Sequence, residues 1–287
     1  MNYQQYRPSG FSFLPEVVKN LLIINGIFFL ATVIFESKGI DLSYFLGLHY
    51  FGSEEFKIWQ FITYMFMHGS FTHLFFNMFA VWMFGAAIEN IWGPKRFLTY
   101  YIITGLGAAL CHYAIVYVEM QPTIEYINNY VKYPSLEKLN DLSSSGILNK
   151  YGTQALIDHY NEFSEEFNAL YKSDPKEAIR MSVGYMEMFR ADILNAPVVV
   201  GASGAVFGLL LAYGMIFPNS IIYIYFAIPI KAKYFVILYG LIELFSGVAN
   251  VKGDEVAHFA HLGGLVTGLL LILLWRNRNR RNHNPFE

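Results

Sequence analysis

Runs of about 20 mostly apolar residues, the length a helix needs to cross the hydrocarbon core of a bilayer, constrain this chain more than any other feature. The first is built around "LLIINGIFFLATVIF" (21–35), followed by "THLFFNMFAVWMFGAAIENIW" (72–92) and "RFLTYYIITGLGAALCHYAIVYV" (96–118). A fourth covers about 197–217 and ends at Pro218. The fifth runs through "YFVILYGLIELFSG", its start blurred by the apolar "SIIYIYFAIPI", and the sixth is "VAHFAHLGGLVTGLLLILLW" (256–275). Composition agrees: 55% of residues are hydrophobic and 15% charged, where a soluble domain carries about 25% charged residues. The expected fold class is an all-α membrane protein with six transmembrane helices.

Lysine and arginine set the expected orientation. Four arginines follow the last span in "RNRNRRNHNPFE", Lys95 and Arg96 follow the second, and Lys231 and Lys233 precede the fifth. All fall inside if six spans begin and end in the cytoplasm, with "GVANVKGDEV" outside. The N-terminus has no basic region running into an apolar core, so no cleavable signal peptide is expected. Cys111 is the single cysteine, which excludes an intramolecular disulfide and a Cys-rich zinc site.

Three segments follow: 1–118 with the first three spans and an aromatic, interfacial first loop, 119–195 as an extracytoplasmic helical insertion, and 196–287 with the last three spans and the basic tail. Within the insertion, Ile157, Tyr160, Phe163, Phe167 and Tyr171 recur at helical spacing. "SDPKEAIRMSVGYMEMFRADIL" opens with an Asp cap and Pro175 in the first turn, a helix-start signature. "NDLSSSGILN" reads as a loop between helices.

Polar residues inside spans are costly and mark functional sites by default. The candidates are His73 and Asn77 in the second span, Ser203 in the fourth, and His258 and His261 in the sixth. These three spans run in the same direction. His73, Ser203 and His261 then lie within roughly 10 Å of the external boundary, at one depth. Gly201, Gly204, Gly208 and Ala212 thin the fourth helix, and Gly264 and Gly268 continue the His261 stripe on the sixth. Small residues let two helices approach closely, which a Ser203–His261 hydrogen bond requires.

That pairing has a chemistry. Histidine can take the proton of a serine hydroxyl and make it a nucleophile, and donors must then meet the oxyanion formed at an amide carbonyl. Asn77, His73 and the backbone N–H of Ser203 are suited to this. No Asp or Glu stands out as a third member, so a Ser–His dyad is expected, with Phe207, one turn beyond Ser203, packing on the His261 ring. His261 is preferred to His258, which is read as auxiliary. His112 and His68 are read as a satisfied buried residue and a loop residue.

"GASGAVFG", "AHLGGLVTG", "HGSFTHLFFN" and "IWQFITYMFMH" resemble the motifs of rhomboid intramembrane serine proteases. The resemblance covers about 55–118 and 197–275. It implies a six-helix rhomboid core with Ser203 as nucleophile and His261 as general base. It also implies His73 and Asn77 in the oxyanion hole, supported by Gly201 and Phe207. The implied partners are transmembrane protein substrates and the lipid bilayer, with no nucleic acid, metal or cofactor, in a bacterial plasma membrane. Where the family usually has Trp-Arg, this chain has Trp59-Gln60, and the insertion has no counterpart in the minimal bacterial core. The alternative is a non-catalytic rhomboid-like protein that binds membrane clients, but such relatives typically lack the Ser or the His. A transporter is disfavoured because the inner halves of the fourth and sixth spans, "LLLAYGMIF" and "LLLILLW", are apolar.

Overall fold

The computed structural model describes residues 11–144, 154–196, 198–224, 227–249 and 257–282. The loop expected at 140–149, the loop "GVANVKGDEV" and the end of the basic tail lie partly outside the described residues; of the two loops, the described parts, 140–144 and 247–249, are helical. In chain order the elements are α1 (Glu16–Glu36), α2 (Leu42–Leu46), β1 (Leu48–His49), α3 (Gln60–Thr63), α4 (Phe71–Ala80) and α5 (Ala86–Trp92). Then come α6 (Pro94–Lys132), α7 (Leu136–Ser144), α8 (Gln154–Ser173), α9 (Pro175–Asn195) and β2 (Val198–Val199). The last are α10 (Ser203–Ile216), β3 (Ile221–Ile224), β4 (Ile228–Lys231), α11 (Ala232–Ala249) and α12 (His258–Asn282). A π turn at Val81–Gly85 joins α4 and α5 into one continuous span. The protein is an all-α membrane protein: among the described residues, five helices are long and apolar enough to cross a bilayer. Helices suit that setting because they satisfy their backbone hydrogen bonds internally.

Three elements differ from the sequence expectation. The fourth span is shorter than 197–217: its helix, apolar throughout, begins at Ser203 and has 14 residues, about 21 Å. Val198–Val199 is extended instead, and Gly201, at φ +124°, breaks the path into the helix. "SIIYIYFAIPI" is not an early start of the fifth span, because β3 and β4 pair antiparallel, with Ile222 opposite Ile230. Finally, the third span does not stop at Val118, since α6 runs 39 residues through Pro122 to Lys132. That proline has no N–H for the helical ladder, and the helix continues through it.

The chain divides into two compact units, residues 1–47, 59–112 and 200–287 in the first, and 48–58 and 113–199 in the second. In the first unit α1 buries Val18, Leu21, Asn25 and Thr32 and leaves Ile27 and Leu30 each 60% exposed, as suits a helix with one face toward lipid. Its N-terminus is held by the buried Glu89 of α5, whose two carboxylate oxygens accept from the N–H groups of Val17 and Val18 at 2.9 and 2.8 Å. These are orphan donors of a helix start, and a negative group is favourable there. Gln60, at the departure from the Trp-Arg signature, is buried and donates to the Phe45 carbonyl at 3.3 Å.

The helix pair that positions the site is α10 against α12. A Cβ on Gly264 would lie 1.9 Å from the carbonyl oxygen of Gly204, so the two backbones touch where any larger residue would force them apart. One turn on, the Tyr100 hydroxyl fills the space beside Gly268 and donates to the Gly208 carbonyl at 2.9 Å.

In the second unit, Met120, Ile127 and Tyr130 of α6 form a core with Leu139, Leu156, Phe163, Phe167, Tyr185 and Phe189. Phe163 stacks on Tyr185 with ring centroids 3.8 Å apart. The start of α9 is as expected: Asp174 accepts from the N–H groups of Lys176 and Glu177, with Pro175 in the first turn. The expected stripe of α8 faces this core: Phe163 and Phe167 are buried and Tyr160 and Tyr171 pack against it, while Leu156 takes the place expected of Ile157, which is 39% exposed.

Glycine contact makes a prediction with a built-in control. Ala at Gly26, where a Cβ meets nothing within 4 Å, gains helix propensity of about 1 kcal/mol and is expected to hold or raise the thermal midpoint in detergent. Gly264→Ala is expected to lower it, because separating two backbones costs about 1–3 kcal/mol. Equal midpoints for the two variants would contradict the packing argument.

Candidate active site

Ser203 is the first residue of α10, immediately after the Gly201–Ala202 turn. The Gly201 N–H donates to the Tyr64 carbonyl at 2.8 Å, fixing the turn. A Cβ on Gly201 would come within 2.8 Å of the His73 ring, so the imidazole rests on bare backbone beside the serine. As the start of a helix, this turn has N–H groups without intrahelical partners.

His261 lies in the first turn of α12 and is buried, with 8% of its surface exposed. Its Nε2 is 2.8 Å from the Ser203 hydroxyl oxygen. Phe207, one turn along α10, stacks on the imidazole at 4.3 Å and 10°. The expected serine–histidine contact and the aromatic wall are therefore both present.

Behind the histidine the structure differs from expectation. The buried Glu243 of α11 accepts a hydrogen bond from Nδ1 of His261 at 2.9 Å, and the same oxygen is 2.6 Å from Nδ1 of His258. A carboxylate does stand third in line, and His258 is tied to it. The sequence held the signal, an acidic residue inside the apolar "YGLIELFSG". Its meaning was hidden because nothing in the spacing tells which neighbour the α11 face meets.

The remaining candidates fall as follows. His73 adjoins Gly201, and its backbone N–H is capped by Ser70 at 3.1 Å. Asn77, one turn further along α4, is buried but is not joined to Ser203 or His261 by a hydrogen bond. His112 of α6 is near enough to His261 for their charges to interact, so it is less isolated than its sequence face suggests. His68 precedes the span, as expected of a loop residue, yet it is 1% exposed and packs edge-on against His73 at 5.0 Å. Burial, with His73 beside it, pushes its pKa from 6.5 down to about 4.

A half-buried serine hydroxyl lies against Nε2 of a buried histidine at the contact of two apolar helices of a membrane protein, a pairing that can activate a hydroxyl. The sequence matches the Rhomboid domain over residues 55–124 and 177–278, more than half of the chain. The chain belongs to the rhomboid family. Its similar proteins include the rhomboid protease AarA of Providencia stuartii, 40% identical over 52 residues, 18% of each chain. The putative rhomboid protease YdcA of Bacillus subtilis is 40% identical over 48 residues, 17% of this chain and 24% of the relative. The rhomboid protease GlpG of Salmonella newport is 34% identical over 59 residues, 21% of this chain and 20% of the relative. The chain spans about a fifth of the length of these curated relatives.

The neutral His68 carries a pH signature. Between about pH 6.5 and 4 the unfolded chain binds a proton that the folded one refuses. Its contribution is therefore full above pH 6.5 and drains away as the pH falls toward 4, a difference of about 3 kcal/mol. In a thermal-midpoint series over that range, His68→Phe is expected to flatten the acid-side decline. An unchanged slope would mean that His68 does not refuse the proton.

Proposed function

We propose that this protein is an intramembrane serine endopeptidase that cuts membrane proteins in or beside a transmembrane segment. Ser203 is the nucleophile: its hydroxyl proton passes to Nε2 of His261 as the oxygen attacks the peptide carbonyl. The developing oxyanion is met by the backbone N–H of Ser203, the His73 imidazole and the Asn77 amide. Collapse of that intermediate breaks the C–N bond, the imidazolium returns its proton to the leaving amine, and an acyl ester remains on Ser203. Water, activated by the same histidine, then releases the second fragment.

The observation that carries this reading is the 2.8 Å contact between Ser203 and His261, in a chain that belongs to the rhomboid family. A relative that only bound clients would have no need of a nucleophile aligned with a base. Phe207, stacked on the His261 ring, and Gly201, open to His73, support the same assignment. We further propose cytoplasmic termini, an extracytoplasmic 119–195 segment and residence in a bacterial plasma membrane, from the distribution of Lys and Arg and the family.

A fluorophosphonate probe tests the chemistry on the full chain in detergent or proteoliposomes. Wild type is expected to be labelled and to cleave a model single-span substrate. Ser203→Ala should abolish both, and His261→Ala should slow labelling by about 10²-fold or more. Labelling that survives Ser203→Ala, or a wild type that neither labels nor cleaves, would sink the protease reading.

A further inference from the structure

We propose that Glu243 is a positioning residue that makes the Ser203–His261 pair part of a Ser–His–Glu arrangement, with His258 clamping the carboxylate. The proposal rests on the serine-protease reading and deepens it. One oxygen of Glu243 faces two ring nitrogens, Nδ1 of His261 at 2.9 Å and Nδ1 of His258 at 2.6 Å. An ionised carboxylate can only accept, so both imidazoles carry their proton on Nδ1. The Nε2 of His261 then keeps its lone pair and faces the Ser203 hydroxyl at 2.8 Å, which is the tautomer a general base needs.

Phe207 and Glu243 act on His261 in different ways. Stacking at 4.3 Å and 10° fixes the plane of the ring but leaves it free to flip by 180° about Cβ–Cγ and to exchange tautomers. The hydrogen bond to Glu243 removes both freedoms. It also sets a negative charge beside Nδ1 as the imidazolium forms, which favours proton transfer from the serine. The other titratable groups that face His261 are His258 on its own helix, His73 on α4 and His112 on α6. None of these supplies negative charge, so among the described residues the carboxylate stands alone in that role.

Glu243 is itself 5% exposed, in an apolar helix, where an unpaired carboxylate is costly. His258 gives it a second donor, so the carboxylate is held even while His261 is busy with the serine. His258 is thus a clamp on Glu243 in place of an alternative base. The ligand atoms of Glu243, His258 and His261 also lie within 4.8 Å of one another, a set that could hold a divalent cation. In the positioning role the same three atoms are joined directly, by the hydrogen bonds of 2.9 and 2.6 Å.

The experiment follows fluorophosphonate labelling of Ser203 against probe concentration and pH, in the full chain, for wild type, Glu243→Gln, Glu243→Ala and His258→Ala. Glu243→Ala is expected to lower the maximal labelling rate on the order of 10²-fold, with half-saturating probe concentration little changed. Glu243→Gln keeps an acceptor oxygen but not the charge. It should retain more of the rate, while the acid-side limb of its pH profile moves to lower pH, because the imidazolium now loses its proton more easily. His258→Ala should give a smaller loss of rate. If Glu243→Ala fails to fold, the isosteric Gln variant decides through its pH profile. Wild-type rate and an unmoved limb in Glu243→Gln, with labelling still lost in Ser203→Ala, would overturn this proposal and leave the protease reading intact. One zinc per chain by elemental analysis, with labelling accelerated by a chelator, would overturn it in favour of a metal site. A wild type that takes no probe would instead fail the protease reading itself.

Discussion

The close approach of α10 and α12 at Gly204 and Gly264 is the contact on which the rest of the site depends. Between helices in lipid there is no hydrophobic gain to be had, because acyl chains are as apolar as leucine; association rests on packing and polar contacts. Two backbones pack most closely where neither has a side chain, and a Cβ at Gly264 would fall 1.9 Å from the Gly204 carbonyl oxygen. Ser203 immediately precedes that point on α10, and His261 lies three residues before it on α12. A contact that sets the helix separation therefore also sets the separation of hydroxyl and imidazole. The tyrosine that fills the next turn, Tyr100, is fully buried and donates to the Gly208 carbonyl, adding a third helix to the same seam.

A second constraint acts along the chain. Ser203 does not sit within a continuous span but at the head of a short helix, after a glycine whose positive φ a side chain would strain. This start exposes the first N–H groups of α10, which no carbonyl of the same helix can reach. A longer helix beginning at residue 197 would have buried those donors in its own ladder. The short helix and the glycine turn thus serve the same end, placing unpaired donors beside the serine while His73 rests against Gly201.

Much of this was legible in the sequence for a physical reason. Transmembrane length, glycine spacing on α10 and α12, and the place of His73, Ser203 and His261 in the first turn of their helices are properties of single helices. So too was the ring of Phe207, one turn from Ser203. The limits had the same origin. The start of α10 is not legible because "PVVVGASG" is apolar whether extended or helical, nor is the β3–β4 hairpin, whose residues read equally as span or strand. At the first turn of α8 Leu156 takes the buried place expected of Ile157, though Phe163 and Phe167 face the core as their spacing predicts. The place of Glu243 is not legible because its partners lie on α12, and rotation of α11 about its axis is set by packing, not by its own sequence.

Glu243 and the two histidines of α12 meet in a reciprocity that single residues do not reveal. An acidic side chain on an apolar helix is tolerated only where donors replace water. A histidine that must remove a proton needs its other nitrogen held and its positive form compensated. In this fold each requirement is the answer to the other: His258 and His261 supply the donors that keep Glu243 buried, and Glu243 supplies the acceptor that orients His261. A stacked phenylalanine alone fixes the plane of the ring but neither selects its tautomer nor offsets its charge. The cost of burying the carboxylate in α11 is therefore coherent with a role in the chemistry at Ser203, and has no counterpart in a helix that served packing alone.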